Sequence, residues 1–93
     1  MNNKDDFYRK LKIQLDDTTA FPADYLYKFI VPAAENQVAE VESVFNNTGA
    51  VITRKNSKTG RYVSVSILLK LNSSDEIITF YEKAGKIKGI ISL

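Results

Sequence analysis

The fold is decided by residues 62–71, which read YVSVSILLKL. Every odd position in this stretch is aliphatic, whereas the even positions are mixed: Tyr62, Ser64, Ser66, Leu68 and Lys70. Successive side chains of a strand point to opposite faces, so the pattern predicts a strand with one buried and one more polar face. Residues 51–55 are also rich in β-formers, and residues 56–60, NSKTG, separate the two runs. We therefore predict a hairpin.

A strand and a helix are predicted upstream of this hairpin. Residues 25–31 alternate, and we assign to the core the row formed by Tyr25, Tyr27, Phe29 and Val31. Leu26, Lys28 and Ile30 then lie on the opposite face. Pro32 ends the strand and suits the first turn of a helix, whose apolar stripe is Val38, Val41, Val44 and Phe45. Residues 46–49 end that helix.

The two ends of the chain add three more elements. Ser73 and Glu76 fit a capping box, which predicts a helix that begins there and ends at Gly85. Residues 87–93 are predicted to form a final strand. At the other end, the helical spacing of Phe7, Tyr8, Leu11 and Leu15 predicts an amphipathic helix. Alternation of Leu11, Ile13 and Leu15 leaves a strand as the alternative.

The predicted order is therefore a leading helix followed by β-α-β-β-α-β. This order indicates an α+β fold, a ferredoxin-like antiparallel sheet with two helices on one face. Right-handed crossovers place the first and third strands at its centre. We divide the chain into a helix and linker at 1–20 and a single ferredoxin-like domain at 21–93. The second sheet face stays open unless the leading helix or a partner covers it.

Composition argues against most catalytic chemistry. The chain has 93 residues, a net charge of +2, and neither cysteine nor histidine. The commonest general base, the thiol nucleophile and Cys-based metal sites are therefore excluded. We expect no enzyme activity, catalytic residue, metal or cofactor. No basic region leads into an apolar run at the start, and no apolar run reaches the roughly 20 residues of a membrane helix, so we expect a cytoplasmic protein without membrane contact.

The open sheet face is the first candidate for binding. No acid occurs between Glu42 and Asp75, and this interval holds Arg54 and Lys70. We expect the face to carry a mixture of basic, hydroxyl and aliphatic side chains: Lys28, Ile30, Arg54, Tyr62, Ser64, Ser66, Leu68, Lys70 and Lys88. Such a face suits an anionic ligand, a partner protein or RNA, although an ordinary solvated face is an equal alternative. For RNA, only Tyr62 offers a ring for base stacking.

The hairpin loop is the second candidate. Residues 57–61, SKTGR, combine hydroxyls, cations and a glycine, and could hold an anion. The loop lacks the phosphate-binding P-loop pattern. A turn in which Gly60 adopts a positive φ and Lys58 keeps the loop solvated explains the same residues and is the stronger interpretation.

Residues 57–66, SKTGRYVSVS, resemble the YbeD-like family of small bacterial proteins, whose hallmark is a Ser-Lys-x-Gly-x-Tyr-x-Ser-Val run. The resemblance extends over about residues 7–93. It implies a ferredoxin-like sheet similar to ACT regulatory domains, and no established activity. ACT domains bind amino acids or other small effectors between paired domains. Here residues 31–34, VPAA, replace the glycine-rich turn of that pattern, which weakens the case for an amino acid there.

Residues and resemblance together predict a non-catalytic regulatory or binding module. Its expected partner is a protein or a small anionic ligand, with a homodimer as a further arrangement and RNA as the alternative. The positions that match the family pattern are Lys28, Ser57, Lys58, Gly60, Tyr62 and Ser64. Arg54 joins them through its predicted place on the open face.

Overall fold

The computed structural model describes residues 3–34 and 36–93. Within them the chain forms three helices and four strands: α1 (Asn3–Thr18), β1 (Ala23–Pro32), α2 (Gln37–Val44), β2 (Val51–Asn56), β3 (Tyr62–Leu71), α3 (Ser74–Ala84) and β4 (Ile91–Ser92). No helix in these ranges is both long and apolar enough to cross a membrane. The division into a leading segment, 1–20, and a domain, 21–93, stays a prediction. Residues 1 and 2 of the leading segment lie outside the described part of the chain.

The four strands form one antiparallel sheet in the order β2-β3-β1-β4. The central position of β1 and β3 confirms the predicted ferredoxin-like arrangement. These two strands pair along their full lengths, from Ala23 opposite Leu71 to Pro32 opposite Tyr62. The predicted bounds of β3 are confirmed. Its strict alternation also determines the register of this pairing, because only one register buries the aliphatic row.

One face of the sheet and the two helices α2 and α3 form the core. Tyr27, Phe29 and Val65 are fully buried there, and the ring of Phe45 lies 5.2 Å from that of Tyr27. The Tyr27 hydroxyl donates to the carbonyl of Ile77 at 2.8 Å, so this buried polar group is satisfied. The aromatic row of β1 therefore faces the helices, as predicted.

Local signals at α3 are also confirmed. The Ser73 hydroxyl accepts from the N–H of Glu76 at 3.2 Å. The Glu76 carboxylate reaches back and accepts from the N–H of Asn72 at 2.7 Å. The Ser73 hydroxyl thus satisfies one backbone donor that the first turn of a helix would otherwise leave free, and the Glu76 carboxylate binds the N–H just before the cap.

The leading segment is a helix, so the strand alternative is wrong. α1 packs beside α3 on the helix side of the sheet: Tyr8 stacks on Tyr81 with ring centroids 6.4 Å apart. Buried Ser74 donates to the carboxylate of Asp16 at 2.6 Å and accepts from Lys12 at 3.2 Å. Because α1 is engaged here, it leaves the second sheet face uncovered.

Two predicted boundaries are wrong. α2 begins at Gln37 and not around Pro32, because the sheet ladder continues: Pro32 pairs with Tyr62, and the next N–H, of Ala33, donates to the carbonyl of Arg61 at 2.9 Å. The last strand spans Ile91–Ser92 rather than residues 87–93.

The shortening of the last strand has a local cause. The chain turns after α3, where the N–H of Ile87 donates to the carbonyl of Ala84 at 3.0 Å. Gly89 then adopts a φ of +77°, against Pro32. These turns take up the residues between α3 and the edge of the sheet.

Candidate binding face of the sheet

The side of the sheet away from α2 and α3 is called the open face. Directly paired residues of neighbouring strands project to the same side, so the register assigns its members. They are Asp24, Leu26, Lys28, Ile30 and Pro32 of β1, Val51, Thr53 and Lys55 of β2, Tyr62, Ser64, Ser66, Leu68 and Lys70 of β3, and Ile91 of β4.

Three apolar side chains form a row across the open face. Val51, Leu68 and Leu26 lie side by side on β2, β3 and β1, and they are 62 %, 43 % and 49 % exposed. We call them the apolar row. Exposed apolar patches rimmed by polar groups mark interaction sites more often than isolated apolar residues do. Ile91 and Leu93 add exposed apolar surface at the β4 edge.

Cations and hydroxyls lie next to the apolar row. The next row across the sheet is Thr53, Ser66 and Lys28, and the following one contains Lys55 and Ser64. A shallow depression of about 370 Å³ lies among these residues, and it is also bordered by Leu93 and by the neighbouring position Arg54. Over the described part of the chain, neither Lys28 nor Lys55 forms an ion pair. Both charges therefore remain available to an external anionic group.

The structure brings only some of the predicted site residues together. Lys28, Tyr62 and Ser64 share the open face. Arg54 does not: it lies opposite buried Val65, and its Nε is 3.3 Å from a carboxylate oxygen of Glu42 in α2. The prediction that Arg54 belongs to the open face is therefore wrong, because β2 alternates and this position points to the helix side.

Lys88 is also misplaced by the sequence prediction. It lies in the turns between α3 and β4, not on a strand. There it lines a second depression of about 740 Å³ with Gln37, Glu40 and Lys86. No sequence pattern indicates this depression, because it lies between α2 and a turn about 50 residues further along the chain. Its charged lining residues are one acid, Glu40, and two lysines, Lys86 and Lys88.

The hairpin loop uses its polar groups internally. The N–H of Tyr62 donates to the Ser57 hydroxyl at 3.2 Å, and the N–H of Ser57 donates to the carbonyl of Tyr62 at 2.9 Å. Gly60 has a φ of +74°, which the sequence interpretation required of this turn. Ser57 and Gly60 thus shape the loop, whereas Lys58 is exposed at the Tyr62 end of the open face.

Several titratable groups away from the open face have pKa values that are shifted by the packing of the fold. Burial raises the pKa of Tyr27 and of Tyr81, so both hydroxyls stay neutral in the core. The hydrogen bond from Ser74 lowers the pKa of Asp16. A hydrogen bond to Asp75 raises the pKa of Lys12. These groups hold helices together and do not face the depression on the open face.

The sheet order, the paired helices and the uncovered face define an ACT-like, ferredoxin-like α+β domain. A crystal structure of the ACT domain from GTP pyrophosphokinase of Chlorobium tepidum matches with a TM-score of 0.55 and 14 % identity, covering 76 % of this chain and all of that one. The uncharacterized protein TM1266 from Thermotoga maritima matches with a TM-score of 0.64 and 18 % identity, covering 75 % of this chain and 90 % of that one. At such identities the likeness concerns the fold alone.

The family is shown by sequence. A family model described as "Protein of unknown function (DUF493)" matches residues 16–93. The UPF0250 protein YbeD of Escherichia coli O1:K1 / APEC is 32 % identical over 80 residues, which cover 83 % of this chain and 92 % of that protein. YbeD of Shigella boydii serotype 18 matches to the same extent. The chain belongs to the DUF493 family, which confirms the YbeD-like resemblance.

Proposed function

We propose that the chain is a non-catalytic regulatory module that binds a partner protein through the open face, with the 57–61 loop beside the contact. The observation that carries the proposal is the uncovered apolar row, Val51, Leu68 and Leu26, next to Lys28 and Lys55, which form no ion pair within the described residues. Its expected location is the cytoplasm. Family and fold likeness supply no ligand, so the support for a binding role comes from this face.

The position of α1 supports the proposal. This helix is the part of the chain that the sequence left free to cover the open face, and it packs instead against α3 through Tyr8 and Lys12. The face is thus left both apolar and accessible. Burial of apolar area is the main favourable term in most protein association, at about 25 cal/mol per Å².

A small anionic ligand is the second candidate. The depression between Lys28, Lys55 and the hydroxyls of Thr53 and Ser66 favours it, because a carboxylate or phosphate would gain charge-assisted hydrogen bonds there. The shallow site would leave much of such a ligand in water. RNA has weaker support, since Tyr25 and Tyr27 lie on the helix side and Tyr62 alone offers a ring on the open face.

Site-directed photo-cross-linking tests the proposal in cells. One variant carries p-benzoylphenylalanine at position 53 on the open face, and the matched control carries it at position 79 on the exposed side of α3. We expect discrete protein adducts from position 53 that disappear when Leu68→Asp is added. Absence of adducts from position 53, or the same adducts from both positions, would contradict a protein-binding open face.

A further inference from the structure

We infer that the open face receives an acidic amphipathic helix of the partner protein, laid across the sheet beside the apolar row. This inference rests on the proposed function and specifies its partner. Three features of the face carry it: the pairing of its strands, the spacing of Lys28 and Lys55, and the effect of the lysines of the face on a second copy of the chain.

The backbone of the open face offers nothing to bind. β1 and β3 pair with each other along their full lengths, and the N–H and C=O groups that β2 and β4 leave unpaired lie in the plane of the sheet, at its edges. An extended segment that adds to a sheet needs such a free edge, so it would bind at β2, at β4 or along the part of β1 that β4 leaves unpaired. A partner on the face itself therefore binds through side chains. A helix suits this, since helices pack on sheet faces and α2 and α3 do so on the other side.

The charges of the face set the charge of that helix. Asp24 lies opposite Lys70 at one end, which leaves Lys28 and Lys55 as the unbalanced pair near the middle. These two residues are two strands and one row apart, so their Cα atoms are separated by roughly 12 Å in a regular sheet. Acids seven residues apart on one helix face are separated by about 10.5 Å. Flexible lysine side chains can bridge the difference, while leucines on the same helix cover the apolar row.

The same lysines disfavour a second copy on this face. Two open faces packed together would bring Lys28, Lys55 and Lys70 of both copies into one desolvated layer, with only Asp24 of each copy to balance them. Burying like charges without partners is strongly unfavourable. An acidic helix converts the charges of Lys28 and Lys55 into charge-assisted contacts. The face therefore suits a different, acidic protein.

A three-peptide comparison tests the inference. The probes are 18-residue designed helices with one common leucine face, flanked by Glu, by Gln or by Lys, each titrated into ¹⁵N-labelled protein. We expect amide shifts on strands β1, β2 and β3 at open-face positions, and affinity in the order Glu, Gln, Lys. Two pairs of contacts predict at least about a tenfold difference between the Glu and Lys peptides at low salt. Shifts at α2 and α3 instead would overturn the inference.

Charge reversal provides the matched control. In the double variant Lys28→Glu/Lys55→Glu the order of affinities should invert, so that the Lys peptide binds best. The variant Lys86→Glu/Lys88→Glu makes the same change in net charge away from the face and should keep the original order. Equal binding of all three peptides, the same order in the open-face variant, or no binding would each overturn the acidic helix. If the peptides fail in one of these ways but position 53 still gives protein adducts, the open face binds a protein that is not an acidic helix. If position 53 gives no adducts either, both the acidic helix and the proposed function are contradicted.

Discussion

The two faces of the same sheet differ completely in what surrounds them. On one face, Phe29 of β1 and Val65 of β3 are buried in the aromatic core beneath the helices. One residue along each strand, Lys28 and Ser64 face the opposite side, where no helix of the described chain packs. A single step along a strand therefore separates a position in the core from one on the proposed binding face. Substitutions at neighbouring positions should therefore have unlike effects.

The largest effect is expected from the core face. Phe29→Ala should destabilise the domain by about 3–5 kcal/mol, because it removes a fully buried ring and leaves a cavity among Tyr27, Phe45 and Tyr81. Urea unfolding followed by circular dichroism measures it. Lys28→Ala, one residue away, should change stability by no more than about 0.5 kcal/mol. Similar losses at both positions would remove the distinction between the faces.

The glycines of two turns offer the next contrast. Gly89→Ala combines a φ of +77° with a methyl group placed 2.9 Å from the Pro32 ring, so we expect a loss of about 2–3 kcal/mol. Gly60→Ala meets nothing within 4 Å at a φ of +74°, so only the backbone cost of about 1 kcal/mol should remain. Thermal unfolding of both variants compares them directly. Equal losses would mean that the close approach to Pro32 does not matter.

The packing of α1 against α3 should contribute less to the free energy of unfolding, and this contribution should depend on pH. Ser74→Ala removes the buried hydroxyl between Asp16 and Lys12 and should cost about 1–2 kcal/mol at neutral pH. The pKa of Asp16 is lowered in the folded chain, so its stabilisation is present above the ordinary value of about 4 and is lost as pH falls through the folded value. Urea unfolding between pH 7 and 2 should show the difference from the parent narrowing in acid. A pH-independent difference would contradict this role.

The smallest effect on stability is expected at the apolar row. Leu68→Ser should alter unfolding free energy by no more than about 1 kcal/mol, since the side chain is already 43 % exposed. The same substitution should weaken binding of the designed helix that carries Glu. Its control is Leu69→Ser on the core face, which should destabilise the domain strongly. A folded Leu68→Ser protein that binds the peptide unchanged would argue against the apolar row as a contact.

Strong alternation made the central half of the fold predictable from sequence. Both β1 and β3 carry a regular row, so their faces and their pairing followed from the pattern. β2 gave a weaker signal, because its helix-side positions are Ile52, Arg54 and Asn56 and only one is apolar. Arg54 was misplaced for that reason: its partner, Glu42, lies on a helix, and no local pattern reveals such a tertiary contact.

The remaining differences depend on contacts distant in sequence. The apolar content of residues 87–93 favoured a strand, whereas the turns near Gly89 and the approach of Pro32 limit β4 to two residues. The docking side of α1 depends on polar contacts of Ser74 with Lys12 and Asp16, which have no periodic signature. Sequence could therefore define an open face but not decide whether α1 would cover it.

A binding role for the open face requires, above all, that solvent reaches the apolar row. In a sample labelled at leucine and valine methyl groups, a soluble gadolinium chelate broadens the signals of methyls that solvent reaches. We expect strong broadening at Leu26, Val51 and Leu68, and little at Val65 and Leu69 in the core. Protection of the first three, at protein concentrations where the chain is a monomer, would mean that the open face is covered by the chain itself and would contradict its role as a binding surface.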